Sequence, residues 1–343
     1  MTTDNATGLR QRLRTFGISD SAIQAAWPRW WSESADESPS ARAELHFSVA
    51  RNLGLDPRSL IDVDQSPRFI WREEARFKHL SGEDEIEQAG ITSFGRAVTS
   101  VLIRAVPEAV ATIVGQSAGE LRRALLAEDR PVVGLGDLLA MAWGTGVPVI
   151  HLRVFPWERK RMAAMTVRLG DRCSVLLGKD ASYPPQIAFY LAHELGHIAL
   201  GHIAAGDQIV DLDNTGDEPD TQEGETDVEE READAFALEL LTGLPSPTIL
   251  PARSGWATAR ELARTALAVA DERQIEAGTA ALIYGHSTGD WQLANAALRY
   301  IYPEPTEVWN SINGYARHEL AFDQLTADGA EFLDAVLGYS EPA

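Results

Sequence analysis

Residues 187–202 read IAFYLAHELGHIALGH and contain His193-Glu194-Leu195-Gly196-His197. Residues four apart on an α-helix share a face, so both imidazoles can reach one cation. Glu194 projects from the adjacent side, where its carboxylate can take a proton from a water that the cation polarises. Two histidines and an intervening glutamate at this spacing match the H-E-x-x-H pattern of zinc-dependent peptide hydrolysis. The surroundings predict a helix. Ile187, Leu191, Leu195 and Ile198 form an apolar stripe. Pro184 and Pro185 fall in a first turn whose amides have no helical acceptor, and Ser182 stands where an N-cap is expected.

A hydrolytic centre of this kind needs a third protein ligand and keeps one position open. A third histidine in the pattern H-E-x-x-H-x-x-G-x-x-H is excluded. The glycine position holds Leu200 and the histidine position Ile203, with Gly201 and His202 each one residue out of phase. His202 is therefore read as a neighbour of the site or a surface residue. The other solution takes a glutamate from a downstream helix, and EREADAFALELL at 230–241 fits it. Phe236, Leu240 and Leu241 supply the apolar stripe. Glu230 and Asp234 share a face, so Glu230 can bind the metal while Asp234 accepts a hydrogen bond from a ligand histidine and fixes its ring. Glu232 projects elsewhere and is the second choice of ligand. The donor set suits Zn²⁺ and also admits Mn²⁺.

Ahead of the helix, Val147–Val154 reads as a strand. Met165–Leu169 and Ser174–Leu177 then read as an antiparallel pair around a Gly170-Asp171 turn. If Ser174–Leu177 lies at a sheet edge, it can pair with an extended substrate. Between the two candidate metal-binding helices, residues 206–229 are acidic and lack any basic side chain, which predicts an exposed loop. The acidic spacing is not that of a calcium loop. Tyr190, one turn before Glu194, is read as a packing residue, and His286 and His318 as surface histidines.

Residues 1–80 read as helical, and within them 41–60 resembles half of a helix-turn-helix unit or, equally, part of an ordinary three-helix packing module. A turn falls at Leu53-Gly54-Leu55, and the next helix starts with Asp56 as N-cap and Pro57 as its first residue. Trp27, Trp30 and Trp31 are placed in that segment's core or at a domain contact. Residues 81–90 read as an acidic linker, and 91–105, 118–126 and 132–143 as helices. From Pro245 a proline-containing exit leads to further helices at 257–276 and 277–302, with a turn at 285–290 between or within them, and at 306–316 and 325–337. The expected fold class is α+β and mostly helical. A catalytic domain with a small antiparallel sheet (91–250) is flanked by helical modules at 1–80 and 252–343.

The chain has 343 residues and a formal net charge of −21. Residues 1–80 carry equal numbers of acidic and basic side chains, so the whole excess lies beyond them. Phosphate contact needs a basic surface, which leaves DNA binding to residues 1–80 alone. The single cysteine, Cys173, excludes an internal disulfide and suits a reducing cytoplasm. It is read as a strand residue. No run of residues is long and apolar enough to span a membrane.

Residues 139–241 resemble the ImmA/IrrE family of metallo-endopeptidases. The likeness is carried by Gly146-Val147-Pro148-Val149-Ile150, Arg168-Leu169-Gly170-Asp171-Arg172, Ala192-His193-Glu194-Leu195-Gly196-His197, and Glu230-x-x-Ala233-Asp234-x-Phe236-Ala237-x-x-Leu240-Leu241. The resemblance implies a gluzincin-like domain with His193, His197 and Glu230 as metal ligands and Glu194 as general base. It also implies a helix-turn-helix repressor as the protein substrate, and hence a part in transcription regulation or stress response. The long acidic stretch, the neutral front segment and the C-terminal extension depart from the family's compact form. Two other readings stand beside it: a regulatory DNA- or protein-binding protein with a structural or weakly active metal site, and a toxin-type protease restrained by a partner.

Overall fold

The computed structural model describes residues 5–71, 75–77, 85–127, 130–158, 162–204, 208–212, 225–247 and 258–339. The N-terminal part contains α1 (Ala6–Phe16), α2 (Asp20–Ala26), α3 (Pro39–Leu53), α4 (Pro57–Ile61) and the short strand β1 (Ala75–Phe77). Next come α5 (Glu85–Leu102), α6 (Ala118–Ala127), α7 (Leu135–Gly144), β2 (Val149–His151), β3 (Met162–Leu169) and β4 (Arg172–Leu177). They are followed by α8 (Pro184–Leu200), β5 (Gln208–Leu212) and α9 (Glu225–Thr242). The C-terminal part is α10 (Ala259–Arg273), α11 (Ala277–Thr288), α12 (Trp291–Ile301), α13 (Val308–Glu319) and α14 (Ala327–Val336). The protein is mostly helical around one small sheet, the expected class. Among the described residues, no helix is long and apolar enough to cross a membrane.

The sheet has five strands in the order β1-β5-β3-β4-β2. The pair β3-β4 is antiparallel as expected and β5 adds antiparallel to β3, while both outer pairs, β1 with β5 and β2 with β4, are parallel, so the sheet is mixed rather than antiparallel throughout. That order corrects the reading of Ser174–Leu177 as a substrate-pairing edge. β4 is bonded to β3 on one side and β2 on the other, so its backbone is already satisfied. A second correction concerns the acidic stretch 206–229. Gln208–Leu212 is a strand in register with β3, and α9 begins at Glu225. Ile209 and Val210 go to opposite faces of the sheet and are buried there, which outweighs the polarity of their neighbours. Residues 213–224, the most acidic part of the expected loop, lie outside the described residues. The expected linker is also shorter, because Glu85–Gly90 belong to α5.

Alternation along the strands divides the core. Ala164, Cys173, Val175, Leu177 and Ile209 pack with Ile187, Leu191 and Leu195 of α8 and with Phe236 and Leu240 of α9. Met165, Val167, Leu176 and Val210 face the other way, onto Phe94 and Val98 of α5, Leu9 and Leu13 of α1, and Phe332 of α14. With both faces covered, the strands read as nearly continuous apolar runs rather than as alternating ones. Polar residues inside such runs therefore stand out, and Thr166 is one of them.

α9 also carries Leu238 into a third cluster with Leu262, Ala266, Ala280 and Leu298 of α10, α11 and α12. Arg122 of α6 is buried and donates to the carbonyls of Leu240 and Leu241 at the end of α9, and to that of Gln274 between α10 and α11. It satisfies carbonyls that a helix C-terminus leaves open. Asn313 of α13, fully buried, bonds to the outer strand β2. It accepts from the His151 amide at 2.7 Å and donates to the His151 and Leu337 carbonyls at 2.8 and 2.9 Å. Trp30 extends the N-terminal aromatic group (Trp27, Trp30, Trp31) toward α14, its indole N–H donating to Asp328.

Candidate metal centre

α8 starts as its prolines require, with Pro184 and Pro185 in the first turn. The N-cap is Tyr183 rather than Ser182. The Tyr183 amide is bonded to Gln186 Oε1 at 3.2 Å, and the Ser182 carbonyl instead receives the Thr306 amide. Along α8, the stripe of Ile187, Leu191, Leu195 and Ile198 is buried against the sheet, which places His193 and His197 on the side toward α9. Gly196 permits the close approach of α9. A Cβ at this position would lie 3.2 Å from both the Ala233 carbonyl oxygen and the Phe236 ring.

Across this contact, His193, His197 and Glu230 converge, with one ligand atom from each lying within 4.8 Å of the others. His193 Nε2 and His197 Nε2 are 3.1 Å apart, and the two Glu230 carboxylate oxygens lie 3.3 and 3.5 Å from them. His197 is fully buried and His193 nearly so, whereas the Glu230 side chain is 23% exposed. Asp234, one turn further along α9, accepts a hydrogen bond from His193 Nδ1 at 2.8 Å. A carboxylate only accepts, so the hydrogen of a neutral His193 sits on Nδ1 and its Nε2 lone pair faces Glu230. Lone pairs and a carboxylate gathered at these distances repel unless a positive charge lies among them, and nitrogen with carboxylate oxygen is a zinc-type donor set. The triad can coordinate a divalent cation. Glu232, the second choice of ligand, is outside it and bonds to His202 Nε2 at 3.1 Å.

Glu194 is fully buried, and its Oε2 accepts a 2.5 Å hydrogen bond from Thr166 Oγ1 of β3. The sequence reading did not single out Thr166. A signal for it existed: a hydroxyl in the run MAAMTV must find a partner if both faces of the strand are buried.

Other singled-out residues lie around the centre. Tyr190 is half-buried, beside Phe189 and under the Lys179 ammonium, in line with a packing role. Phe189 also touches His193 and His286, the latter exposed as expected. Cys173 is a buried residue of β4, and burial pushes its thiol pKa up to about 11 against the opposing effect of Arg168. Compared with known protein families, with characterised proteins and with solved structures, the chain matches none.

Proposed function

We propose that this protein is a metal-dependent endopeptidase of the ImmA/IrrE type that cleaves a regulatory protein, a helix-turn-helix repressor in the first instance. The observation that carries the hydrolase reading is the convergence of His193, His197 and Glu230, with Glu194, next to His193 in the chain, as the candidate base. A purely structural metal site has no use for such a base. The substrate assignment rests on the sequence resemblance.

His193, His197 and Glu230 would hold a divalent cation, Zn²⁺ by preference, which when bound would supply Lewis-acid polarisation of the scissile carbonyl. The rest falls to the chain. Asp234 holds the His193 ring with its Nε2 lone pair inward. Glu194 accepts the proton of the attacking water and delivers it to the departing amine, as a general base and then a general acid. Thr166 donates to Oε2 of Glu194 and thereby sets which carboxylate oxygen is turned to the reaction.

Metal content is the deciding measurement, made on wild type beside Glu194→Gln and Glu230→Gln. Stoichiometric metal is expected in wild type and Glu194→Gln and its loss in Glu230→Gln. Turnover of a purified repressor from the same genome should fall about 100- to 10,000-fold in Glu194→Gln. Metal-free wild type from a metal-replete preparation would remove the hydrolase reading. Intact repressor beside active, metal-loaded protein would remove the substrate assignment alone.

A further inference from the structure

One hydrogen-bond path leaves the triad without passing through Asp234. His197 Nδ1 lies 2.9 Å from His202 Nδ1, and His202 Nε2 lies 3.1 Å from Glu232 Oε2. The path is built by the end of α8. Gly201 adopts the left-handed conformation, φ 76°, and the His202 amide donates back to the His197 carbonyl at 3.0 Å. That turn brings the two rings to 5.1 Å between centroids, at 66° to each other. Gly201 and His202 thus stand one residue out of phase with the three-histidine pattern because they form a helix cap that folds back on the site.

We propose that His202 and Glu232 are positioning residues that hold His197 in its Nδ1–H tautomer, so that the Nε2 lone pair is the one presented to the metal. The proposal rests on the reading of His197 as a ligand. The Glu232 carboxylate accepts, so His202 Nε2 must donate. A neutral His202 then has only a lone pair on Nδ1. Two ring nitrogens 2.9 Å apart and outside the cation position need one hydrogen between them, and it must come from His197. His197 Nε2 is left as an acceptor, 3.1 Å from His193 Nε2 and 3.5 Å from Glu230. The two ligand histidines are thus oriented by two carboxylates of α9. Asp234 acts on His193 directly, and Glu232 acts on His197 through His202. The reverse polarity, a doubly protonated His202 donating to His197, would put an N–H on Nε2 and point it into the triad.

The two members should not count equally. The His202 side chain is only 7% exposed, whereas that of Glu232 is 56% exposed and water can take over much of its role. Losing His202 therefore removes the acceptor for His197, while losing Glu232 only loosens it.

The test uses metal-free, ¹⁵N-histidine-labelled protein at neutral pH, with long-range ¹H–¹⁵N spectra assigned by comparison with His197→Gln and His202→Gln. Zinc affinity is measured separately by competition with a chromogenic chelator, and circular dichroism checks each fold. Wild-type His197 should show the Nδ1–H tautomer. His202→Phe should lose it and weaken zinc binding about 10- to 100-fold. His202→Gln, whose amide oxygen can accept from His197, should recover most of that affinity, and Glu232→Ala should lie between it and wild type. An Nε2–H tautomer in wild type, or unchanged zinc affinity in folded His202→Phe, overturns the proposal. If His202→Phe does not fold, the wild-type tautomer and its persistence in His202→Gln decide the matter. Wild type that binds no zinc refutes the metal reading instead, a failure told apart because the tautomer is read without metal.

Discussion

Glu194 has no exposed surface, and a carboxylate taken out of water keeps its charge only if polar groups compensate the lost hydration. Thr166 is one such group, so Thr166→Val, nearly equal in volume, should act through the hydroxyl alone. Bonds to a charged partner contribute about 1.5–3 kcal/mol. Turnover is therefore expected to fall with metal content unchanged, which elemental analysis beside a peptidase assay will show. Asp234→Asn should act on the metal instead. An amide can present its oxygen to His193 Nδ1 but carries no charge, so zinc affinity is expected to drop by up to about tenfold to a hundredfold in chelator competition. Cys173 serves as a control. Its thiol, buried and raised to about pKa 11, stays protonated at neutral pH and should react with a disulfide reagent only after denaturation. At this scale His193, Glu194, His197, Glu230 and Asp234 could be singled out from the sequence, because each stands at a fixed helical interval from another. The pairings of Thr166 with Glu194 and of His202 with Glu232 could not, since they join residues 28 and 30 positions apart whose meeting depends on packing.

The pairing of α8 with α9 turns on Gly196. Alanine there would press on the Ala233 carbonyl and the Phe236 ring. Overpacking of this kind costs about 1–3 kcal/mol. Relief requires α9 to retreat, and α9 carries Glu230. Gly196→Ala should therefore lower zinc affinity by more than its loss of folding stability alone would suggest, a difference read by comparing competition titration with urea unfolding. Helix positions were legible from apolar periodicity, as in α7, α8 and α9. Strand β5 was not, because Ile209-Val210 is a short apolar interruption in an acidic stretch and gains its register from β3 and β1, both distant in sequence. Sheet order was equally hidden. A hairpin reveals that β3 and β4 are partners, but nothing local tells that β2 returns parallel to β4 and takes its outer edge.

For the molecule as a whole, Asn313 is a long-range tie between the C-terminal region and the sheet. From the C-terminal region it occupies the backbone groups of His151 on the outer strand, as a neighbouring strand would. Asn313→Ala strips a buried amide and carbonyl of their partners, at about 1–3 kcal/mol for each such group. The midpoint of urea unfolding should drop and should do so in a single transition, because Leu337 and the neighbours of His151, Ile150 and Leu152, belong to a core that also holds residues of α1, α3 and α14. Sequence composition gave no hint of this connection. Asn313 sits in an amphipathic helix where one asparagine is unremarkable, and its meaning depends on a strand 162 residues away.

The exposure gradient across the metal centre has a kinetic side. The histidines are sealed, while Glu230, Glu232 and Asp234 reach solvent along one helix of a chain with net charge −21. A cation arriving from solution meets these carboxylates first, and a field of that sign draws it in. Zinc should thus associate faster at low ionic strength and slow as salt screens the rim, while its departure, governed by the buried nitrogens, changes little. Stopped-flow mixing at graded salt would show loading and release responding to different halves of the same site.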